Sequence, residues 1–305
     1  MQIFTELNKK PNLSLALGFF DGVHLGHKKV IKSAVDFAKR NGIKSAVVTF
    51  KEHPCCFFRG IGPKYILTRE ERLKHIEALG VDYVYLLDFN SKLCMLSAED
   101  YLREVLVGNF SPKSISTGFN HYFGAKKSGN VTLLAEKQVE YGYKYFEIPP
   151  QKVLGKTISS TAIRELLSKG QIKNANEMLG YNFSITGEVV KGQQLGRTIG
   201  FRTANLIYPN ELIDLPFGVY LTVVTLGGKK YQGVTNFGIR PTVSDSNKCT
   251  LETHILDFEK DIYGKYITVE FIKMIRAEKK FKSLNELKNQ IIADVLSVKN
   301  STNFT

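Results

Sequence analysis

Apolar runs and amphipathic stretches alternate through the first half of the chain. Residues 13–19 form one continuous apolar run, which predicts a buried strand. Residues 27–41 then place apolar side chains at helical spacing and are followed by Gly42, a residue type that commonly ends helices. Further strands are predicted over 45–50, 81–87, 114–117 and 143–148, and further helices over 68–79, 97–107 and 132–141. This alternation predicts βαβ units and a largely parallel sheet covered on both faces.

The pattern changes after about residue 183, where short β-rich runs are separated by Gly, Asn, Asp and Pro. These runs cover residues 185–190, 219–226, 230–235, 250–256 and 266–275. Gly227-Gly228 predicts a hairpin between two of them. A helix is predicted over 283–296, and the helical stretch 162–181 bridges the two halves. We therefore expect an α/β protein of two domains, residues 1–183 with a parallel sheet and residues 184–305 with a small antiparallel β-barrel and a packed C-terminal helix.

The composition adds an excess of positive charge to this picture. The 305 residues include 42 Lys and Arg against 29 Asp and Glu, a formal net charge of +13. The basic residues are dispersed, and the densest clusters are pairs such as Lys126-Lys127. Because nucleic-acid binders usually concentrate their charge on one stripe or arm, we expect no nucleic-acid partner. The charge favours small anionic ligands or reflects a bias toward lysine in the genome.

Targeting signals and cysteine patterns point to a cytoplasmic protein. No apolar run approaches the roughly 18 residues that suggest a membrane span, and residues 1–6 lack the basic and apolar regions of a secretory signal. The four cysteines, Cys55, Cys56, Cys94 and Cys249, form no C-x-x-C pattern. We therefore expect reduced thiols, with neither a zinc site nor a disulfide framework.

The segment Gly18–His27 carries the strongest chemical signal. Here a buried strand runs into a tight turn that opens a helix, and three glycines let the backbone approach a ligand closely. The N-terminus of the helix offers free N–H groups to an anion. His24 and His27 are three residues apart, so on a helix they share a face and can reach one phosphate. The alternative is a pair of structural histidines, and a metal site is disfavoured because no third ligand is close in sequence.

Residues 158–164, Ile-Ser-Ser-Thr-Ala-Ile-Arg, open a second helix. Ser159, Ser160 and Thr161 can satisfy the unpaired amides of a helix start or bind phosphate oxygens. Arg164 can bind a phosphate through two parallel hydrogen bonds. Taken alone the motif is weak, because Ser-rich helix starts are usually simple caps.

The second half offers two further candidates. Residues 187–205 form a glycine-rich stretch in a β context, of the kind that cradles phosphates. Thr203 and Asn205 are two residues apart, so on an extended segment both side chains face one way, and their oxygens suit Mg²⁺ beside phosphates. An equally good alternative is that this glycine-rich stretch simply forms the turns of a β-barrel. Glu252 shares a strand face with His254 and could accept a proton from a substrate hydroxyl, unless it is merely an exposed charge.

The front half resembles a known enzyme family. The pairing of G-x-F-D-G-x-H-x-G-H with I-S-S-T-x-I-R resembles the nucleotidyltransferase superfamily, and segments 49–54, 67–68, 79–82 and 118–124 are similar to the FMN adenylyltransferase module of prokaryotic bifunctional FAD synthetases. The resemblance implies a Rossmann-like domain in which His24, His27 and Arg164 are catalytic groups on ATP phosphates. The implied ATP contacts are Gly18, Phe20, Asp21, Gly22, Gly26, Ser159, Ser160 and Thr161, and the implied flavin contacts are His53, Asn120 and Phe123.

Two positions depart from the pattern of that module. Residues 120–123 read Asn-His-Tyr-Phe where many members carry Asp-Phe-x-Phe, and Glu52 stands where many carry Pro. Neither departure touches the phosphate motifs, so the resemblance still implies adenylyl transfer.

The second half is similar to the riboflavin kinase module of the same enzymes. The similarity runs from residue 185 to about 294 through G-x-x-x-G-R-x-I-G-F-x-T-A-N, residues 218–220, residues 236–242 and residues 252–258. It implies that Thr203 and Asn205 hold Mg-ATP, that Gly192, Gly196 and Arg197 bind its phosphates, and that Glu252 is the general base on the riboflavin 5′-hydroxyl. Arg202 stands in place of the family's Pro, which adds a charge near the phosphates.

Together the two resemblances imply a bifunctional transferase that uses ATP and Mg²⁺ to make FMN from riboflavin and then FAD from FMN. The expected partners are riboflavin, FMN, FAD and ATP, without nucleic acid or membrane, and protein partners stay open, with a weak homo-oligomer as one option. Two alternatives remain at this point. One is an enzyme with adenylyl transfer as its single activity, because Arg202 alters the kinase loop. The other is a basic regulatory protein that binds nucleic acid and senses flavins.

Overall fold

The computed structural model describes residues 1–153, 155–192, 200–240 and 248–301. The chain divides into two units, Met1–Ser160 and Thr161–Thr305. The predicted domain boundary between residues 183 and 184 stays a prediction. Among the described residues, no helix combines the length and the apolar character that crossing a membrane requires.

The first unit is built on a six-stranded parallel sheet. Its strands are β1 (Gln2–Phe4), β2 (Leu13–Leu17), β3 (Lys44–Phe50), β4 (Tyr83–Leu87), β5 (Ser114–Gly118) and β6 (Lys144–Ile148). They lie in the order β1-β4-β3-β2-β5-β6, and every neighbouring pair is parallel. The predicted parallel sheet is therefore confirmed. The chain reverses its direction of strand addition at β2, which has β3 on one side and β5 on the other, and this is where ligands bind in open α/β sheets.

Helices cover both faces of this sheet. They are α1 (Leu25–Arg40), α2 (Pro54–Arg59), α3 (Arg69–Glu77), α4 (Ser91–Met95), α5 (Ala98–Asp100), α6 (Gly108–Phe110), α7 (Val131–Glu136) and α8 (Gln138–Tyr141). Strand β2 is buried on both sides, as its continuous apolar run predicts. Leu15 packs into the core that holds Leu102 and Phe110, whereas Ser14 on the other face donates a hydrogen bond to the Ala34 carbonyl of α1.

Three helical predictions for the first unit need correction. The segment predicted as one helix over 97–107 widens into a π-helix over Tyr101–Val107 between α5 and α6. The segment predicted over 132–141 is two short helices that meet at Lys137. The helix predicted from His27 begins at Leu25 instead, because the side chain of His24 caps it. A short unpredicted ribbon, β7 (Lys152–Val153) with β8 (Lys156–Thr157), ends the unit.

The second unit begins within α9 (Ser160–Ser168), which is followed by α10 (Ile172–Leu179). The sequence predicts a helical stretch over 162–181, and the structure divides it into these two helices. Gly170 adopts a left-handed conformation with φ +70°, which ends the first helix, and the chain restarts two residues later. The second helix is joined to the sheet, because Asn176 Nδ2 donates to the Phe271 carbonyl at 2.9 Å.

Six antiparallel strands form the body of the second unit. They are β9 (Ser184–Glu188), β10 (Ala204–Ile207), β11 (Gly218–Leu226), β12 (Lys229–Arg240), β13 (Lys248–Ile255) and β14 (Tyr266–Ala277), in the order β10-β13-β12-β11-β14-β9. A bridge between Val190 and Asn205 brings the two edge strands together, so the sheet closes into a barrel. The predicted hairpin is confirmed, because Gly227 and Gly228 both have positive φ, as its tight turn requires. Helix α11 (Leu284–Lys299) follows, capped by Ser283.

Candidate active sites

The turn after β2 is held in a conformation that few residues adopt. Phe20, Gly22 and Val23 all have positive φ, at 60°, 78° and 33°. Left-handed backbone is rare for phenylalanine and rarer for a β-branched valine, and each such position costs roughly 1–3 kcal/mol. Backbone strain of this kind concentrates at ligand sites. The turn predicted to bind ATP phosphates therefore carries an independent structural mark of function.

His24 and His27 are brought together at the start of α1. His24 is the N-cap, and its Nδ1 accepts a hydrogen bond from the His27 N–H at 3.2 Å. Their rings stack with centroids 3.5 Å apart, and the His27 ring meets the edge of Phe20 at 5.3 Å. Burial lowers the pKa of His24 to about 4, so its ring is neutral at pH 7. Because Nδ1 is the acceptor, the single ring proton of His24 lies on Nε2.

Asp21 joins this turn to two other segments of the unit. Its carboxylate accepts hydrogen bonds from the backbone N–H of Ile66 at 3.0 and 3.2 Å and of Leu67 at 3.4 Å. Its carbonyl accepts a hydrogen bond from Ser160 Oγ at 2.9 Å. Asp21 therefore joins the turn after β2 to Ser160, the last residue of the first unit, and its carboxylate accepts hydrogen bonds from backbone amides.

The second phosphate motif lies at the start of α9. Ser160 is its first helical residue, and Arg164 lies four residues on, so the two share a helix face. Ser159 precedes the helix, and Thr161 is exposed in its first turn. The bond from Ser160 to the Asp21 carbonyl is the described contact that joins the motif to the strained turn. The roles of Ser159, Thr161 and Arg164 in phosphate binding stay predictions.

The three predicted flavin residues differ in their placement. His53 follows β3, caps α2 through Nδ1, and packs its ring against Phe19 at 4.9 Å. Asn120 follows β5, the neighbour of β2 on the other side. Both therefore lie at the carboxyl edge of the sheet. Phe123 is buried in the hydrophobic core against Tyr101, so its ring supports the loop from below.

In the second unit, Gly192, Thr203 and Asn205 converge. Asn205 Nδ2 lies 3.3 Å from both the carbonyl and the hydroxyl oxygen of Thr203, so the two side chains meet as predicted. Gly192 lies against the Asn205 amide, where a Cβ would come within 2.5 Å of Oδ1. A glycine is therefore required for this close approach. The two other predicted phosphate residues of this unit, Gly196 and Arg197, fall outside the described residues.

Glu252 lies in a row of polar residues across three strands. On β13 it stands directly opposite Asn205 of β10 on one side and Asn236 of β12 on the other. Directly opposite residues of antiparallel strands place their side chains on the same face. The structure thus brings the predicted general base beside a predicted metal ligand that is distant in sequence.

An open cleft borders this row at Asn205. Its lining residues are Val189, Arg202, Thr203, Ala204, Asn205, Thr253, Ile255, Phe258, Lys260, Asp261, Ile262 and Tyr263. Glu252 is on the opposite strand face from Thr253 and Ile255, so it borders the cleft at Asn205 without lining it. Asn205, which lines the cleft, is the direct partner of Glu252 across the strand ladder.

Comparison with known proteins decides the family. A family model described as FAD synthetase matches residues 6–162, and one described as riboflavin kinase matches residues 179–302. A bifunctional riboflavin kinase/FMN adenylyltransferase of Buchnera aphidicola subsp. Schizaphis graminum is 36% identical over 292 residues, which are 94% of this chain and 93% of the relative. A protein of the same name from Escherichia coli K12 is 37% identical over 287 residues, 93% of this chain and 91% of the relative. The chain belongs to the bifunctional riboflavin kinase/FMN adenylyltransferase family.

A solved structure agrees with this fold over the whole length. The crystal structure of a protein described as a macrolide-efflux protein from Streptococcus pneumoniae superposes with a TM-score of 0.87 at 31% identity, covering 98% of this chain and 99% of that one. The two family models and the named relatives confirm the family resemblance that the motifs indicated.

The departures from the riboflavin kinase/FMN adenylyltransferase pattern have definite places in the structure. Arg202 lines the cleft, and its Nη1 donates to the Glu259 carbonyl at 3.0 Å. Its own carbonyl lies 2.8 Å from His254 Nδ1. His121 stacks on Phe123 at 5.9 Å, and burial lowers its pKa to about 4. A neutral imidazole therefore occupies the place of the family's phenylalanine as a flat ring.

Sequence reasoning missed three features of these sites. Arg72 is buried beneath the strained turn and donates to the Phe19 and Phe50 carbonyls. Asn236 flanks Glu252, and its position within the motif at 236–242 was the available signal. Phe57 and Phe58 of α2 are exposed just after His53, and adjacent aromatic residues beside a predicted flavin contact could have drawn attention to them.

Proposed function

We propose that this chain makes FAD from riboflavin in two ATP-dependent reactions at two separate sites. In the second unit, the riboflavin 5′-hydroxyl oxygen attacks the γ-phosphorus of ATP, the bond from that phosphorus to the β,γ-bridging oxygen breaks, and FMN and ADP form. In the first unit, a phosphate oxygen of FMN attacks the α-phosphorus of a second ATP, and pyrophosphate leaves as FAD forms. The observation that carries the proposal is the presence, on one chain, of both family domains over nearly its whole length.

At the kinase site, ATP occupies the cleft and riboflavin reaches the transferred phosphate from the Glu252 side. Asn205 lies at the border between the two, directly opposite Glu252. The Glu252 carboxylate accepts the proton of the 5′-hydroxyl as that oxygen attacks. The remaining contribution is positioning and neutralisation of phosphate charge, as in other phosphoryl transfers. Asn236 of β12 lies directly opposite Glu252 on the side away from Asn205.

The residues present fit a magnesium ion at this site. Thr203 and Asn205 both carry neutral oxygen donors, and Asn205 Nδ2 donates to the Thr203 hydroxyl, which holds the two side chains together. Gly192 leaves space beside Asn205 Oδ1 that a Cβ would fill. Oxygen donors in small number, with phosphates completing the shell, are what Mg²⁺ prefers. When bound, the ion would neutralise charge on the ATP phosphates. Thr203 and Asn205 are the residues that would hold it.

At the adenylyl-transfer site, the two stacked histidines serve as hydrogen-bond donors to the ATP phosphates. His24 is neutral and presents Nε2–H, because its Nδ1 is occupied by the His27 amide. A donor fixed in this way stabilises charge that develops on the α-phosphoryl group without rearranging during the reaction. Ser160 and Arg164 lie on one face of α9 and are the proposed ligands of ATP phosphate oxygens on that helix. Neither histidine acts as a base.

We place the functional boundary between the two domains at residues 183 and 184. We also place the enzyme in the cytoplasm, where thiols stay reduced; among the described residues none of the four cysteines is joined in a disulfide. Its partners are riboflavin, FMN, FAD and ATP. Its positive charge suits the phosphates of FMN, FAD and ATP, and no nucleic-acid partner is part of the proposal.

The experiment that tests this function uses ATP labelled on one phosphate and measures which flavin product takes up the label. With riboflavin and ATP labelled on the γ-phosphate, the label should enter FMN; with supplied FMN and ATP labelled on the α-phosphate, it should enter FAD. A chelator of Mg²⁺ should stop the transfer to FMN. Label that enters FAD from supplied FMN without ever entering FMN from riboflavin would leave adenylyl transfer as the single activity. Absence of both transfers would overturn the proposal.

A further inference from the structure

Arg72 of α3 is a buried cation that joins two strand ends. Its guanidinium is only 2% exposed. Nη1 donates to the Phe19 carbonyl at 2.9 Å, and Nη2 donates to the Phe50 carbonyl at 2.7 Å. Phe19 lies just after β2 and Phe50 ends β3, so one side chain bonds two neighbouring loops at the carboxyl edge of the sheet.

The same guanidinium also supports an aromatic layer. Its carbon lies 4.2 Å from the centroid of the Phe19 ring, in cation–π contact. The Phe19 ring in turn meets His53 at 4.9 Å and Tyr65 at 5.7 Å. The Tyr65 hydroxyl accepts a hydrogen bond from the His53 N–H at 3.1 Å. Arg72 therefore fixes both the backbone and the ring of Phe19, and this ring holds His53.

Packing alone does not account for a charge at this place. Burial lowers the pKa of Arg72 to about 10, although the nearby Asp21 carboxylate raises it, so the group stays charged at neutral pH. Its two described hydrogen bonds run to carbonyls, and Nε has no partner among the residues that the structure describes. An apolar side chain of similar length would fill the space without the desolvation penalty of a buried cation. Such an apolar side chain could not bind the Phe19 and Phe50 carbonyls and the Phe19 ring at the same time.

We infer that Arg72 is a positioning residue for the flavin side of the adenylyl-transfer site. This inference rests on the proposed function. Arg72 acts through Phe19 and Phe50, which place His53 and the start of α2, the elements that meet FMN. The phosphate-binding groups have their own anchors, namely the cap at His24 and the bonds of Asp21. Loss of Arg72 should therefore weaken the use of FMN much more than the use of ATP.

The test compares three variants in both reactions. Arg72→Met removes the charge and both donors, Arg72→Lys keeps the charge without the fork, and Arg69→Met changes an exposed arginine of the same helix as a matched control. Because hydrogen bonds to a charged group are the strong ones, Arg72→Met should raise the KM for FMN by about tenfold or more, with the KM for ATP within about twofold of the wild type. The KM for FMN of Arg72→Lys should lie between those of the wild type and Arg72→Met, and the constants of Arg69→Met should match those of the wild type.

Circular dichroism reports whether the first unit of each variant is folded, and the kinase reaction in the same preparations reports the activity of the second unit. An unchanged KM for FMN in Arg72→Met, or a KM for ATP that rises equally, would overturn the inference. If Arg72→Met does not fold, the KM for FMN and the KM for ATP of Arg72→Lys test the inference in the same way. Failure of the wild type to adenylylate FMN would instead overturn the proposed function, so the two failures are distinguishable.

Discussion

Glu252 of β13 stands directly opposite Asn205 of β10 across the antiparallel ladder. The two residues are far apart in sequence, and only the register of the strands makes them neighbours. Because directly opposite side chains share a face, a carboxylate and an amide that itself meets Thr203 lie side by side. This pairing places proton removal and phosphate binding next to each other, which phosphoryl transfer to a hydroxyl requires.

Glu252→Gln should remove the kinase reaction and spare adenylyl transfer. The amide keeps the shape of the side chain but does not accept the proton of the 5′-hydroxyl, so kcat for FMN formation should fall by about a hundredfold or more. Conversion of supplied FMN to FAD should stay at the wild-type rate. Glu188→Gln, an exposed carboxylate of the same barrel, is the control and should change neither rate. A fully active Glu252→Gln kinase would exclude Glu252 as the base.

Gly192→Ala should impair the kinase through a steric clash. The added Cβ would come within 2.5 Å of Asn205 Oδ1, so the amide must move away from Thr203. We expect FMN formation to fall by roughly tenfold or more, since small displacements of positioning groups have large effects on rate. The matched control is Gly187→Ala, whose Cβ meets Leu206 at an ordinary 3.6 Å. Equal rates for the two variants, measured at saturating ATP and riboflavin, would contradict this role of Gly192.

Arg202→Met should weaken ATP binding at the kinase site only. The variant keeps the aliphatic stem but loses the bond from Nη1 to the Glu259 carbonyl, which tethers the segment before Thr203 to the loop that forms the other wall of the cleft. Because this bond is exposed, the expected rise in KM for ATP is small, about three- to tenfold. The KM for ATP in FAD formation serves as the internal control. A rise in both constants would show a general effect on the protein.

The lowered pKa of His24 should make the folded protein less stable in mild acid. Its pKa is lowered from 6.5 to about 4, so the unfolded state takes up a proton between these values before the folded state does. Stability is therefore complete above about pH 6.5 and is lost as the pH falls toward 4, by about 3 kcal/mol in all. His24→Asn keeps an N-capping side chain and removes the titration. Urea unfolding at several pH values should show a shallower acid loss for this variant, and equal slopes would contradict the assignment.

Much of the fold could be predicted because its signals are local. The buried strand within residues 13–19 and the helix predicted over 68–79 follow from runs and spacings of a few residues, and the structure has both. Gly170 was a local signal for the end of α9 that the prediction of a helical stretch over 162–181 did not use. The wide π turn over 101–107 has no comparable local mark.

Site residues that belong to short sequence motifs could be predicted. Site residues that are brought together by contacts between distant parts of the chain could not. His24, Thr203 and Asn205 belong to short patterns whose chemistry is legible in sequence. Arg72 was missed because its carbonyl partners lie 53 and 22 residues away, and a lone arginine in a helix is usually exposed. The opposition of Asn205 and Glu252 likewise depends on strand register, which hydrophobic patterns do not specify over such a separation.

The most direct test of the bifunctional account is a quenched time course of the purified wild-type chain with riboflavin and Mg-ATP, in which riboflavin, FMN, FAD, ADP and pyrophosphate are all quantified. The account predicts that riboflavin is converted to FAD, with equal amounts of FAD, ADP and pyrophosphate once all flavin has passed through both reactions. Riboflavin that stays unchanged while supplied FMN is converted to FAD would contradict it.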